Sequence, residues 1–456
     1  MITSSIFKNK KILILGLGQT GLNLYKSLQM SGARVYVFDD NKGVLASLKK
    51  DKVSNIDLKK FNFNTLDYCI PSPGIPTKGK ISHPIIKILK KKNIKILSEL
   101  DMFQLYLNSK SDKHKNNIKV IAVTGTNGKS TVVSLINHTL KALEFKTSLV
   151  GNIGKSIFQS HKINKGFYII EVSSYQLETT KIFKPNFSIL TNLSNDHIKR
   201  HGTLKEYAKQ KFKLFKSFSD NDYGIMSIDH KLTKNFVSHI KNNKSQKLIT
   251  ISSIDKKSNL YFDKNSIFKD NKPIYRSKNP YLFGLHNQEN ISNVLALLDL
   301  INLRNSISIK AINNFIGLPH RQEIIKSNKK IIIINDSKAT NFESTLPALQ
   351  NYKNIYWICG GIAKTKDISV VIPHLKNVRK VYIIGTTKNV FYDSFNEHID
   401  TVYVKYLSKA ISEALKDSKK NKNKVTILFS PAAASFDQYK NFETRGNSFK
   451  YHINNN

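Results

Sequence analysis

Val120-Ile-Ala-Val-Thr-Gly125-Thr126-Asn127-Gly128-Lys129-Ser130-Thr131 is a β-branched run that breaks at a glycine loop and continues into an apolar-periodic segment ending near Leu143. The composition predicts a strand over Ile118 to Thr124. The spacing of Val132, Ile136, Leu140 and Leu143 predicts one face of a helix behind it. Between them Gly125 and Gly128 let the backbone turn its N–H groups inward with no Cβ in the way. Those amides and the helix N-terminus would form a concave anion site. Lys129 adds a point charge, and Ser130 or Thr131 a hydroxyl suited to Mg²⁺. Position 123 is Val, so this is a shorter form of the GxxxxGK[ST] loop. With a strand before it and a helix after it, nucleoside triphosphate binding is the expected role.

The chain has 456 residues, enough for roughly three domains at the usual domain size. Lys plus Arg number 73 against 32 Asp plus Glu, a formal charge of +41. The lysines are scattered and not interleaved with aromatics in a stacking pattern, so we read a diffuse compositional excess and expect no specific nucleic-acid partner. No apolar run approaches the ~18 residues of a membrane helix, so no stable membrane insertion is expected. Ile12 to Leu17 is too short for a signal peptide and runs into a glycine loop. Cys69 and Cys359 are the only cysteines, which excludes a disulfide framework or a clustered thiolate site. A cytoplasmic, soluble protein is the expectation.

Upstream, Lys11-Ile-Leu-Ile-Leu-Gly16-Leu-Gly18-Gln19-Thr20-Gly21 reads as a strand entering GxGxxG, with a helix to Met30 and a second strand, Arg34 to Phe38, ending at Asp39. That is a dinucleotide fingerprint with its acid about 20 residues on. NAD is one reading; a different nucleotide diphosphate fits as well, because no hydride-transfer machinery follows. Ser72-Pro73-Gly74-Ile75 is a further point of close backbone approach or a plain turn. A connecting helix is expected from about Ser98, then a polar stretch from Ser109 to Asn117.

In the central region Gly151-Asn152-Ile-Gly154 reads as a tight loop, and Phe167 to Glu171 as a buried strand ending in one acid. An unpaired buried carboxylate is costly, so Glu171 is a candidate metal ligand. Phe187 to Thr191 is another strand, followed by Asn195-Asp196-His197. His197 rises above an ordinary polar histidine only because Glu171 and the glycine loop share its sheet edge. The helix Leu204 to Lys216 carries Lys205, Lys209, Lys211, Lys213 and Lys216, on composition a solvated basic face. Asp220 to Tyr281 reads as short strands and loops. Asn287 and Asn290, one turn apart on a helix through Leu300, would cap it or touch an adenine.

Gly317-Leu-Pro-His320-Arg321 looks like a hinge into a third α/β unit with strands Ile331 to Ile334, Ile355 to Cys359, Val381 to Ile384 and Val425 to Phe429. Polar clusters follow three of these strands: Asn335-Asp336-Ser-Lys338-Ala-Thr340-Asn341, Gly360-Gly361-Ile-Ala-Lys364 and Ser430-Pro-Ala-Ala-Ala-Ser435-Phe436. Such clusters at carboxyl ends of one sheet mark a ligand crevice.

Assembled, these residues resemble the Mur ligases over nearly the whole chain. The glycine loop is common to that family. Gly317 to Arg321, Asn335 to Asn341, and Ser430-Pro-Ala-Ala-Ala-Ser-Phe-Asp-Gln-Tyr-Lys-Asn-Phe-Glu-Thr-Arg-Gly446 resemble its D-glutamate-adding members. The resemblance implies an α/β fold of three domains: a Rossmann-like UDP-binding domain over 1–97, a P-loop ATPase-like domain over 98–315 and a Rossmann-like amino-acid-binding domain over 316–456. It implies a monomer that uses ATP and two Mg²⁺ sites to join D-glutamate to UDP-N-acetylmuramoyl-L-alanine through an acyl phosphate.

Residue by residue, the resemblance implies that Gly125, Thr126, Asn127, Gly128, Lys129, Ser130 and Thr131 hold ATP phosphates, with Asn287, Asn290, Arg321 and Asp336 on adenine and ribose. Ser130 and Glu171 would hold one Mg²⁺; His197 and a carbamylated Lys211 would hold the other. From the residues alone Lys209 or Lys213 would serve as well as Lys211. Gln19, Thr20, Asp39 and Gly74 would bind the UDP part. Asn152 would touch the sugar-peptide or ATP. Lys338, Thr340, Lys364, Ser435 and Phe442 would surround D-glutamate. Another Mur ligase or a folylpolyglutamate synthetase shares the ATP loop, and a basic nucleotide- or nucleic-acid-binding protein would share the charge.

Overall fold

The computed structural model describes all residues except 42, 45–54, 59, 80, 217–221, 242–246, 364, 366, 387 and 456. The chain divides into two compact units, Met1–Lys278 with Asn287–Asn314, and Asn279–His286 with Phe315–Asn456.

The first unit holds two sheets among the described residues. Strands β1 (Lys11–Leu15), β2 (Arg34–Phe38), β3 (Tyr68–Pro71) and β4 (Lys95–Ile96) form a parallel sheet in the order β2-β1-β3-β4. The near-continuous apolar run of β1 suits a strand covered on both faces. Its glycine loop leads into the helix Gln19–Met30, and the third glycine has a steric reason: a Cβ on Gly21 would lie 2.1 Å from the Gly16 carbonyl oxygen.

The larger sheet contains β5 (Ile118–Thr124), β6 (Thr147–Gly151), β7 (Gly166–Glu171), β8 (Phe187–Leu190), β9 (Tyr223–Ser227), β10 (Lys247–Ser252), β11 (Leu260–Phe262), β12 (Ser266–Lys269) and β13 (Lys272–Arg276). The order is β13-β12-β11-β10-β9-β8-β5-β7-β6, parallel from β6 to β11, with β12 and β13 antiparallel additions. β5 lies between β7 and β8, with Val123 opposite Glu171 and Thr124 opposite Leu190. This register brings the ends of three strands to one edge, where α/β sheets bind ligands.

The second unit has a six-stranded sheet: β14 (Glu323–Ser327), β15 (Ile331–Asn335), β16 (Ile355–Gly360), β17 (Val378–Ile384), β18 (Thr401–Lys405) and β19 (Val425–Phe429), ordered β14-β15-β19-β16-β17-β18. Among the described residues only the β14–β15 strand pair is antiparallel. Along β16, Ile355, Trp357 and Cys359 enter one core while Tyr356 and Ile358 enter another. The sheet is thus buried on both faces, as its apolar strands require.

Four expectations are corrected. The polar stretch 109–117 contains a helix, Asp112–Asn117, with Asp112 in its first turn and Lys115 in its last, the polarity that the helix dipole favours. The helix expected over Leu204 to Lys216 stops at Phe212 and tightens into a 3₁₀ turn, Lys213–Phe215. The segment read as strands and loops also holds the helix Lys231–Lys241; its apolar positions Leu232, Phe236 and Val237 keep helical spacing among the lysines. β14 and β18, at the sheet edges and partly buried, are absent from the strands expected on sequence; β14 has only Ile324-Ile325 between charged and polar residues, whereas β18 carries a short Val402-Tyr403-Val404 run that sequence reasoning passed over. No helix among the described residues is long and apolar enough to cross a membrane.

Candidate active site

The glycine loop after β5 is shaped by what it touches. Gly125 has φ +146°, and a Cβ there would lie 1.9 Å from the Thr191 hydroxyl; Gly128 has φ +80°, and a Cβ there would lie 2.2 Å from Asn290 Oδ1. Two residues that follow β8 pin the loop. The Thr191 hydroxyl donates to the Asn127 carbonyl at 2.6 Å. The Asn192 carbonyl accepts the Thr126 N–H at 3.0 Å, and Asn192 Oδ1 accepts the Asn127 N–H at 2.8 Å. The Thr126 and Asn127 amides, expected to cradle an anion, are therefore engaged within the protein. The groups left as a candidate anion site are the N-terminus of the helix Lys129–Ala142, which carries buried Ser130 and Thr131 in its first turn, and Lys129. Helix N-termini present unsatisfied N–H groups and a positive dipole end.

Lys129 Nζ donates to the carbonyls of Gly125 (2.9 Å) and Thr126 (2.7 Å). Lys211 Nζ donates to the same Gly125 carbonyl at 2.6 Å and lies 4.4 Å from the centre of the Tyr207 ring. Tyr207 in turn donates its hydroxyl to Thr126 Oγ1 at 3.3 Å. The basic helix is thus not one solvated face. Lys209 pairs with Glu206 at the surface, Lys211 is 1 % exposed, and Lys213 donates to the carbonyls of Leu177 and Glu178. Burial first, then the charge of Lys129, holds the Lys211 amine well below the usual lysine range.

Glu171 ends β7 beside the loop and is buried. Asn152 Nδ2 donates to its Oε1 at 2.9 Å, while Oε2 is buried without a hydrogen-bond partner. An orphaned carboxylate oxygen next to a phosphate-type loop fits a hard cation. His197 has φ +54° and is engaged on both ring nitrogens: Nδ1 with the Tyr175 hydroxyl (3.2 Å) and Nε2 with Asp196 (3.3 Å). No group of three or more His, Cys, Asp or Glu side chains gathers as a metal site among the described residues. The residues here that fit one Mg²⁺ are Glu171 and Ser130, with oxygens brought by a nucleotide.

Asn287 and Asn290 lie inside the helix Leu285–Leu300, past its cap position, so they do not cap it. Asn290 Nδ2 donates to Asn287 Oδ1 at 3.0 Å. At the first sheet, Gln19 and Thr20 open their helix above the glycine loop. Asp39 accepts the Leu17 N–H at 2.6 Å and the Asn41 N–H at 2.8 Å, so its carboxylate braces that loop. Gly74 sits in the turn after β3, where its carbonyl accepts from Arg200 Nη1 at 3.1 Å.

In the second unit Asp336 follows β15. It accepts from the Ser430 hydroxyl (2.8 Å) and the Gln322 N–H (3.1 Å), and burial pushes its carboxyl up to about 7 against the opposing pull of these donors and Arg321. Lys338 Nζ sits 3.6 Å over the centre of the Phe442 ring, a close cation–π pair. Thr340 precedes the helix Phe342–Asn351, and Ser435 is buried in the loop after β19. Lys364 lies outside the described residues. Sequence reasoning gave no role to buried Arg445, which clamps Ser337 through Nε to the hydroxyl (3.1 Å) and Nη2 to the carbonyl (2.8 Å). It also passed over Asn192 and Glu178; the conspicuous Arg445-Gly446 end of the last motif was the one available signal.

A phosphate-type loop on a central strand, an orphaned carboxylate beside it and a desolvated lysine behind it define a nucleotide-binding α/β enzyme. The Mur ligase middle domain matches residues 123–298. The UDP-N-acetylmuramoylalanine–D-glutamate ligase of Rickettsia bellii is 34 % identical over 454 residues, covering 98 % of this chain and 97 % of that one. The ligase of the same name from Rickettsia prowazekii is 34 % identical over 448 residues, covering 97 % of each. Among solved structures, MurF of Acinetobacter baumannii superposes with a TM-score of 0.62 at 13 % identity, covering 99 % of this chain and 93 % of that one. UDP-N-acetylmuramate–alanine ligase of Thermotoga maritima superposes at 0.59 and 20 % identity, covering 98 % and 99 %. The chain belongs to the Mur ligases, in the family of the UDP-N-acetylmuramoylalanine–D-glutamate ligases.

Proposed function

We propose that this ligase joins the amine of D-glutamate to the alanyl carboxylate of UDP-N-acetylmuramoyl-L-alanine with ATP, as a cytoplasmic monomer in peptidoglycan precursor synthesis. In this reading the alanyl carboxylate attacks the γ-phosphorus, ADP leaves, and an acyl phosphate forms. The D-glutamate amine then attacks the acyl carbon and expels phosphate, giving the amide as the amine sheds its proton. The observation that carries the reading is the convergence of the glycine loop, Lys129, Glu171 and Lys211 on one sheet edge. Relatives named for this reaction, and a solved relative, MurF of Thermotoga maritima in complex with ADP, support it.

Phosphoryl transfer asks the protein for positioning and charge neutralisation more than for covalent help. Lys129 and the amides of the helix N-terminus would hold the β- and γ-phosphates, and Asn287, Asn290, Arg321 and Asp336 the adenine and ribose. Ser130 and Glu171 would hold one Mg²⁺ and His197 with carbamylated Lys211 a second; bound Mg²⁺ would neutralise phosphate charge. Lys338, Thr340, Lys364, Ser435 and Phe442 would receive D-glutamate, whose carboxylates suit lysine partners. Gln19, Thr20, Asp39 and Gly74 would take the UDP part, and Asn152 the sugar-peptide or ATP. The division into parts 1–97, 98–315 and 316–456 belongs to the same reading.

The test is one incubation of purified enzyme with UDP-N-acetylmuramoyl-L-alanine, ATP, Mg²⁺ and each candidate amino acid, read by product mass. The expected product is the D-glutamate amide alone. Product with meso-diaminopimelate or L-alanine, and none with D-glutamate, would replace this reading with another Mur ligase.

A further inference from the structure

We infer that Glu289 is a positioning residue for the phosphate loop, acting through Asn192. The inference rests on the nucleotide-site reading above and assigns the residue that sets the loop's orientation. Glu289 lies on the helix Leu285–Leu300 between the two asparagines, facing the segment that follows β8. Its Oε2 accepts from Asn192 Nδ2 at 2.9 Å. The other end of the Asn192 amide, Oδ1, accepts the Asn127 N–H at 2.8 Å, and the Asn192 carbonyl accepts the Thr126 N–H at 3.0 Å.

The chemistry of these groups makes the chain directional. A side-chain amide has a donor end and an acceptor end. Burial raises the Glu289 pKa to about 7 against the pull of donors on Asn192 and Ser227, and above that pH its carboxylate only accepts. Glu289 therefore turns Nδ2 toward itself and fixes Oδ1 toward the loop. Without that acceptor the amide is free to flip, and its NH₂ would then oppose the Asn127 N–H, donor against donor. The same helix meets the loop a second time one residue on, where Asn290 Oδ1 occupies the space a Cβ on Gly128 would need. Glu289 bonds to Asn192 and Ser227, so its effect on a nucleotide would pass through the loop that Asn192 holds.

The test compares the full-length wild-type chain with Glu289→Leu and Glu289→Gln. Calorimetry would measure ADP affinity with Mg²⁺, and steady-state kinetics would separate the KM for ATP from that for D-glutamate. Losing one charge-assisted hydrogen bond should weaken ADP binding about tenfold in the leucine variant, raise the KM for ATP to match, and leave the KM for D-glutamate unmoved. The glutamine variant, which still offers an acceptor oxygen, should recover most of the loss. Unchanged ADP affinity in Glu289→Leu, or equal loss in both variants, would overturn the inference. Should the leucine variant fail to fold, Asn192→Asp sets an acceptor against Glu289 and should weaken ADP binding likewise; wild-type affinity there would overturn it too. A wild-type chain that binds no ADP would sink the nucleotide-site reading itself, so the two failures are distinct.

Discussion

Lys129 and Lys211 donate to one acceptor, the carbonyl oxygen of Gly125, at 2.9 and 2.6 Å. Two ammonium groups on a single oxygen repel, and only one of them is near water. Lys211, buried against Tyr207 and Thr124, bears the consequence: burial and then Lys129 depress its pKa. A lysine whose pKa is depressed by burial and a neighbouring cation is a better nucleophile. The reading in which Lys211 carries a carbamate needs such an amine.

That relationship gives the first prediction. Enzyme equilibrated with ¹³C-bicarbonate should show a carbamate carbon signal that Lys211→Ala lacks. The same variant should be inactive and partly restored by a short carboxylate such as acetate. Full activity in Lys211→Ala would remove this lysine from the mechanism.

Lys129→Ala tests the other partner. Its two named side-chain bonds go to carbonyls of its own loop, so the fold should survive, with circular dichroism unchanged. Loss of a preorganised charge at the transferring phosphoryl group costs about 10²–10³ in rate in comparable sites, so ATP consumption should fall at least that far. Turnover within tenfold of wild type would exclude the loop lysine from catalysis.

The contrast between Lys211 and its neighbours shows what sequence could convey. Ile118 to Thr124 and Val425 to Phe429 were legible as strands because buried parallel strands write themselves as unbroken apolar runs. Glu171 stood out because a lone acid ending such a run has few structural excuses, and its Oε2 is indeed buried without a hydrogen-bond partner. Lys211 was not distinguishable from Lys209 or Lys213, since burial comes from Tyr207 and the loop after β5, not from the helix pattern. Asp39 matched the position of a ribose-binding acid, yet it braces the Leu17 amide; spacing places a carboxylate without saying what it accepts. The edge strand β14 offered only two adjacent isoleucines, Ile324 and Ile325, while β18 had a Val402-Tyr403-Val404 run short enough to be passed over.

Phe442→Leu addresses the amino-acid end. Lys338 stands 3.6 Å over the Phe442 ring, and cation–π pairs are worth about 0.5–2 kcal/mol. Leucine keeps the apolar bulk and removes the ring face, releasing the ammonium from its set position. The KM for D-glutamate should rise several-fold, with the KM for ATP unmoved. Equal changes in both constants would mean that Phe442 only holds the unit together.

The last prediction concerns a buried pair that no motif announced. Glu178 Oε2 accepts from Arg200 Nε at 2.9 Å, and the two side chains are 6 % and 11 % exposed. Glu178 Oε1 also accepts the Thr77 N–H (3.0 Å) and hydroxyl (2.7 Å), while Arg200 reaches the carbonyls of Gly74 (3.1 Å) and Ile75 (2.8 Å). The pair thus staples the turn after β3 to the helix Ser174–Thr179. Removing one member of a buried ion pair costs about 3–5 kcal/mol, because the other charge stays buried. Arg200→Met should therefore lower the urea midpoint sharply at pH 7. The pH dependence has a definite sign. Burial raises the Glu178 pKa, but the Arg200 and Thr77 donors more than offset it, so the folded value lies below the ordinary one. A depressed carboxyl pKa gives stability that is present above the unfolded value and lost as pH falls through the folded one. The gap between wild type and Arg200→Met should accordingly be widest near neutrality and narrow under acid, as Glu178 becomes neutral in both. A gap that stayed constant down to acid pH would show that Arg200 contributes by packing alone.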